Sequence, residues 1–205
     1  MYKKLNRNFY KKNAIILAKD LLGKYLLHNI NGEVLIGKIV ETEAYMGYFD
    51  KGAHTYKGRR TKRTEAMYGE PGHAYIYLIY GMYDCINVVA AAKDIGQAVL
   101  IRALEPIKGL EVMSLNRFNE PFKNLKRRQI TNLTNGPGKL CRAFGITREL
   151  YYEDFTGDCL YICEKKDDPE FEVVESKRVG IDYAEEAKDY PWRFYIKDNV
   201  YVSRL

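Results

Sequence analysis

The chain has 205 residues, 46% of them hydrophobic and 29% charged, with 33 Lys and Arg against 27 Asp and Glu for a net charge of +6. That length favours one domain with a sizeable core, and no apolar run approaches the roughly 18 residues that span a bilayer. The basic N-terminus lacks the apolar stretch of a secretory signal, so the expectation is a cytoplasmic protein without a membrane segment. Its positive balance suits a polyanionic partner.

The first strong element runs from Asn13, an N-cap residue, to Gly23, a C-terminal stop, with Leu17, Ala18, Leu21 and Leu22 as its apolar stripe. Two β-like runs flank Asn31-Gly32, a hairpin signal because both residues tolerate positive φ. The second run, Val34 to about Tyr45, is long, and Gly37 marks a bulge or bend in it. From Met46 to His73 no clean period holds, and a long excursion of this kind is often functional. Within it, Lys57, Arg59, Arg60, Lys62 and Arg63 crowd together.

Strands are expected at Ala74 to about Val89, interrupted at Gly81, and at Gln97–Leu104, closed by Pro106. A short helix over Gly109–Arg117 leads to a second basic cluster, Lys123, Lys126, Arg127 and Arg128. Asn135-Gly136-Pro137-Gly138 is a turn introducing a helix over Leu140–Phe144. Alternation at Leu160–Cys163, Phe171–Val179 and Arg193–Val202 suggests further strands. Strands outnumber helices and hairpin signals dominate, so the fold class is α+β: one domain over 1–205 with a mostly antiparallel sheet flanked by helices. Cys159 and Cys163 have no second pair or His nearby, so the four cysteines read as buried free thiols, with no metal expected.

Two features carry chemistry. In Glu41-Thr42-Glu43-Ala44-Tyr45 an extended backbone puts Glu41, Glu43 and Tyr45 on one face, the carboxylates starting about 6.6 Å apart. Paired carboxylates are what glycosidic-bond cleavage employs, and the residues alone do not choose between Glu41 and Glu43. Tyr75, Tyr77, Tyr80 and Tyr83 follow, in a chain with 18 tyrosines. Base–aromatic stacking is worth about 1–3 kcal/mol per base, comparable to the cost of unstacking a nucleotide. Alternation places Tyr80 on the face opposite Tyr77.

Ile39-Val40-Glu41-Thr42-Glu43-Ala44-Tyr45, then Ala53-His54, resembles the mammalian-type alkyladenine (3-methyladenine) DNA glycosylases. So do Tyr75–Asn87, Val99–Pro106, Asn135–Cys141 and Arg193-Phe194-Tyr195, which extend the resemblance over nearly the whole chain. It implies a curved sheet similar to the C-terminal domain of methionyl-tRNA formyltransferase. It also implies an enzyme that is monomeric and cofactor-free, working on duplex DNA containing damaged purines. On this resemblance Glu43 is the water-activating base, Arg102 holds that water and the carboxylate, and Glu41 is structural. Tyr45, His54 and Tyr77 sandwich the extruded base, Asn87 floors the pocket, and Tyr80 fills the hole left in the duplex. Lys57, Arg59, Arg60, Lys62, Arg63 and Lys139 are then candidates for the DNA backbone. Thr64, Tyr68 and Asp84 depart from the family pattern. Two competing readings are a non-catalytic nucleic-acid binder with tyrosine platforms, and a glycosylase that also nicks DNA through a lysine Schiff base.

Overall fold

The computed structural model describes residues 1–30, 32–166 and 168–203. A short strand β1 (Tyr2–Lys4) and one helical turn α1 (Arg7–Tyr10) precede the expected helix, α2 (Ala14–Leu21). Asn13 caps α2 by accepting from the Ile16 N–H at 3.0 Å, and Gly23 leaves it with φ +78°. Leu17, Ala18 and Leu21 are fully buried, as the stripe requires.

Strand β2 (Tyr25–Ile30) pairs antiparallel with β3 (Glu33–Tyr45) from Ile30 opposite Glu33 to Tyr25 opposite Lys38. Gly32 of the expected Asn-Gly turn has φ +82°, while Asn31 lies outside the described residues. The excursion after β3 holds three short 3-10 turns, at Gly47–Phe49, Tyr56–Gly58 and Glu65–Tyr68. The run interrupted at Gly81 is a hairpin of β4 (Ala74–Ile79) and β5 (Tyr83–Ala90). Tyr80 and Gly81 at its tip have φ +53° and +71°, and Met82 N–H donates to Ile79 O, the backbone of a type I′ turn.

Strand β6 (Gln97–Lys108) runs past Pro106 instead of ending there. Pro106 sits opposite Gly37 beside a shift in register, where a missing N–H and a missing side chain are both tolerated. Helix α3 (Leu110–Phe118) follows, then α4 (Arg127–Thr131) within the second basic cluster, which periodicity did not suggest. Helix α5 (Pro137–Phe144) starts earlier than expected because proline at its first position is already preset for the helix. The last strands, β7 (Leu160–Lys165), β8 (Val173–Ser176) and β9 (Arg193–Ile196), are partly shorter than the alternating runs that announce them.

Among the described residues all pairings between the strands are antiparallel, in one nine-stranded sheet ordered β1-β7-β2-β3-β6-β5-β4, with β9 also on β3 and β8 on β9. The α+β expectation therefore holds. Strand β3 is the axis of the sheet. One edge carries β6 from Ile36 to Tyr45; the other carries β2 along its first half and β9 at Glu41–Glu43. Val40, Thr42 and Ala44 turn toward α2, with the Thr42 hydroxyl donating to Ala18 O at 2.9 Å. The main core joins α2 to the inner residues of β3, β5 and β6 and to Leu140 and Phe144 of α5. Among the described residues no helix is long and apolar enough to cross a membrane.

Replacing Asn13 by Ala removes the α2 cap. A loss of about 1 kcal/mol in denaturant unfolding is expected.

Candidate active site

The site begins at an irregularity in the central strand pair. Between Ile39 and Thr42 the register of β3 against β6 shifts twice, leaving Val40 and then Arg102 without a partner across the ladder. Such bulges re-aim side chains. Arg102 here reaches both carboxylates of β3: its Nε donates to Glu41 Oε1 at 3.0 Å, and its Nη1 lies 3.2 Å from Glu43 Oε1. Burial works against the Arg102 charge, but Glu43 and Glu41 more than offset it, so its pKa ends above the ordinary value.

The two glutamates, both fully buried, differ in what surrounds them. Glu41 accepts from Arg102, from Arg193 Nε at 2.6 Å, and from the Ser203 hydroxyl and N–H at 3.0 and 2.7 Å. Three of these donors converge on Oε1 and one reaches Oε2. Glu43 accepts on Oε1 from Arg102 and from the Val179 N–H at 2.7 Å, and on Oε2 from the Tyr45 hydroxyl at 2.9 Å. Burial, then the Glu43 charge, raises the Tyr45 phenol well above its usual range, so it remains a donor.

Tyr45, Arg102 and Val179 form part of the lining of a cleft of about 830 Å³. His54, Tyr75, Tyr77, Tyr80 and Asn87 line the same cleft, together with Arg63 and Lys139. Glu43 stands directly behind this lining, held by Tyr45, Arg102 and Val179. His54 meets Tyr77 edge to face at 4.7 Å between centroids, and Tyr75 stacks against Tyr77 at 5.5 Å. Asn87 is buried, its amide donating to Tyr75 O at 3.0 Å. Tyr80 corrects the face assignment drawn from alternation. It belongs to a turn, not a strand, so it lines the same cleft as Tyr77 while 77% exposed at the hairpin tip.

The basic residues divide by their partners. Lys57, Arg59 and Lys62 are exposed on the excursion, and Arg63 adds its guanidinium over the Tyr77 ring at 5.2 Å. Arg60 instead braces the loop, pairing with Glu65 and Asp94 at 2.6 and 2.8 Å. Lys139 donates to Asn132 and Asn135 at 2.8 Å each, and burial, then Arg117, lowers its pKa. Thr64 accepts from Thr61 N–H and Tyr68 donates to Arg59 O, so two departures from the family pattern fasten the basic loop internally. Asp84 lies near the tip of the hairpin, opposite Leu78 and 3.5 Å from Arg148. Cys85, Cys141 and Cys163 are buried free thiols, and Cys159 is a partly buried one.

Sequence reasoning missed Val179, Ile181 and Tyr183 on the cleft wall and Arg178 behind it. Arg193 was read as part of a matching motif but given no role, although it completes the coordination of Glu41. No periodicity marks these positions; only the late chain folding back beside β3 brings them in.

Burial, reinforced by the positive charges of Arg63 and Arg59, pushes the His54 pKa down from 6.5 to about 4, so the imidazole is neutral near pH 7. Its Nδ1 bonds the Tyr75 hydroxyl at 2.8 Å. Since the folded pKa lies below the unfolded one, the unfolded chain takes up the proton first as pH falls. The His54 contribution is complete above about pH 6.5 and is lost on descent toward about pH 4. Urea unfolding at pH 7 and 4.5 should show His54→Gln losing about 1–2 kcal/mol less than the natural chain over that interval, after allowance for partial exposure.

Comparison with known proteins places the whole chain among relatives of similar length. The chain is 61% identical over 202 residues to a protein of Clostridium acetobutylicum (strain ATCC 824), covering 98% of each chain. It is 53% identical over 201 residues to one of Desulfitobacterium hafniense (strain Y51), with 98% of each covered. A third, from Clostridium novyi (strain NT), is 54% identical over 202 residues, covering 98% of this chain and 99% of the relative. Each bears the name "Putative 3-methyladenine DNA glycosylase". The family described as Methylpurine-DNA glycosylase (MPG) matches residues 8–200, and the chain belongs to that family.

Proposed function

We propose that this chain is a DNA repair glycosylase that swings alkylated purines, such as 3-methyladenine and 7-methylguanine, out of duplex DNA and hydrolyses the bond between base and sugar. The observation that carries this reading is a cleft walled by Tyr45, His54 and Tyr77, with Arg102 on its lining and Glu43 paired to Arg102 directly behind it. A non-catalytic binder would gain from the tyrosines but has no use for a buried carboxylate behind them.

A carboxylate offers about four acceptor positions. Arg102, Val179 and Tyr45 occupy three on Glu43, leaving one on Oε2 for a water at the cleft. The water oxygen bonds to the sugar C1′ while its proton passes to Glu43. The electron pair of the broken C1′–N bond leaves on the purine. A purine methylated at N3 or N7 is cationic and departs neutral, so no general acid is required. Hypoxanthine and ethenoadenine are neutral and would need one. The Glu43 carboxylate opposes the positive charge that develops on the sugar, and Arg102 holds that carboxylate in place.

Flipping costs a few kcal/mol, offset by stacking in the pocket. Tyr80, exposed and held at positive φ, is placed to enter the duplex as the base leaves. Lys57, Arg59, Lys62, Arg63 and Lys139 supply phosphate contacts, with Arg60 kept for bracing the loop. Lysine 139 lines the cleft, but its ammonium is held by two asparagines, which favours hydrolysis by water over a Schiff base. Borohydride trapping of a protein–DNA adduct would reverse that choice.

Glu43→Gln should lower single-turnover base release from methylated duplex DNA by about 10²–10⁴-fold, with the dissociation constant for that DNA kept within about threefold. Full activity in the variant removes Glu43 from the chemistry. Tyr80→Gly should have opposite effects on stability and activity. Relief of the left-handed backbone stabilises the fold by about 1 kcal/mol in urea unfolding, whereas loss of the ring slows excision about tenfold.

A further inference from the structure

Arg178 never reaches the cleft, yet it joins every part of the wall around Glu43. Its guanidinium is fully buried and pairs with Asp50 through two bonds, at 2.6 and 2.8 Å. It also donates to Ala44 O at 3.0 Å and Ala187 O at 3.1 Å, and lies 4.8 Å from the Tyr45 ring centroid and 5.0 Å from that of Trp192. Asp50 in turn accepts from the N–H groups of Met46 and Gly52, so the segment leading to His54 hangs on the same pair. The residue after Arg178 is Val179, whose N–H holds Glu43 Oε1.

A buried guanidinium with this many fixed acceptors has one orientation, since any displacement leaves a charge or a carbonyl unpaired. Four elements are therefore registered by one side chain: the end of β3 through Ala44, the Tyr45 wall, the His54 segment through Asp50, and the Val179 amide.

We propose that Arg178 is a positioning residue for base release: with Asp50 it sets the Val179 amide on Glu43 and the Tyr45 ring against the extruded base, and so controls the hydrolytic rate without touching DNA. This rests on the reading of Glu43 as the water-activating group. Positioning errors of about 1 Å cost on the order of 10²-fold, so the rate is where the effect belongs.

The test compares the natural chain with Arg178→Lys and Asp50→Asn. Lysine keeps the charge opposite Asp50 but not the planar fork. Three quantities are measured on folded protein: single-turnover release of 7-methylguanine from a duplex, the dissociation constant for that duplex, and hydrogen exchange at the Val179 amide. The expected result is release slowed at least tenfold in both variants, DNA affinity within threefold, and faster Val179 exchange. Unchanged release in both variants overturns the proposal. So does a parallel fall in rate and affinity, or a Val179 amide that stays protected while the rate drops. If the natural chain itself frees no base, the glycosylase reading fails instead, and the exchange measurement still decides whether Arg178 holds the amide.

Discussion

Two carboxylates on one face of a central strand cannot be enclosed without counter-charge, and the fold is organised around supplying it. Arg102 arrives from β6 at the point where the register slips, and Arg193 arrives from β9 on the other edge of β3. Ser203 closes over Glu41 from the end of the described chain. Burying ions is expensive, and replacing such a cluster by apolar side chains would often be neutral or better for stability. Its retention makes sense if the cluster does something an apolar core cannot. Glu41 takes four protein donors and Glu43 three, and Arg102 is shared between them.

The same division runs through the pocket. Tyr45, Tyr75 and Tyr77 have their phenols raised by burial, so each is a neutral ring with a hydroxyl committed to local bonding or shielded from solvent. His54 is held neutral by burial and by nearby arginines. A cationic base entering this space meets aromatic faces and no competing positive imidazole, with a carboxylate beyond them. Under the proposed function, a cationic methylated purine is drawn to these π faces and loses its charge when the bond breaks.

The hairpin tip balances a different cost. Tyr80 occupies a left-handed conformation that glycine would adopt freely, and it exposes an aromatic ring to water. Both features fit the proposed role of Tyr80 in the duplex. Around it, the exposed lysines and arginines of the excursion are held in place by bonds within the loop itself, through Thr64, Tyr68 and the paired Arg60.

By itself the sequence determined a good part of this. The α2 cap and stop, the hairpins, the antiparallel sheet and the shared face of Glu41, Glu43 and Tyr45 are all local, set by side-chain period, by turn residues and by capping chemistry. Motif resemblance added the choice of Glu43 over Glu41, which no local rule could make. Tertiary structure alone decided how the surroundings of the two glutamates differ, because Glu41 is held by Arg193 and Ser203, more than 150 residues away along the chain. It decided too that Pro106 continues a strand, that Tyr80 shares the cleft with Tyr77, and that Arg178 stands behind the wall. Periodicity reports which face of an element is buried; it carries no information about which distant segment will fold back to cover it.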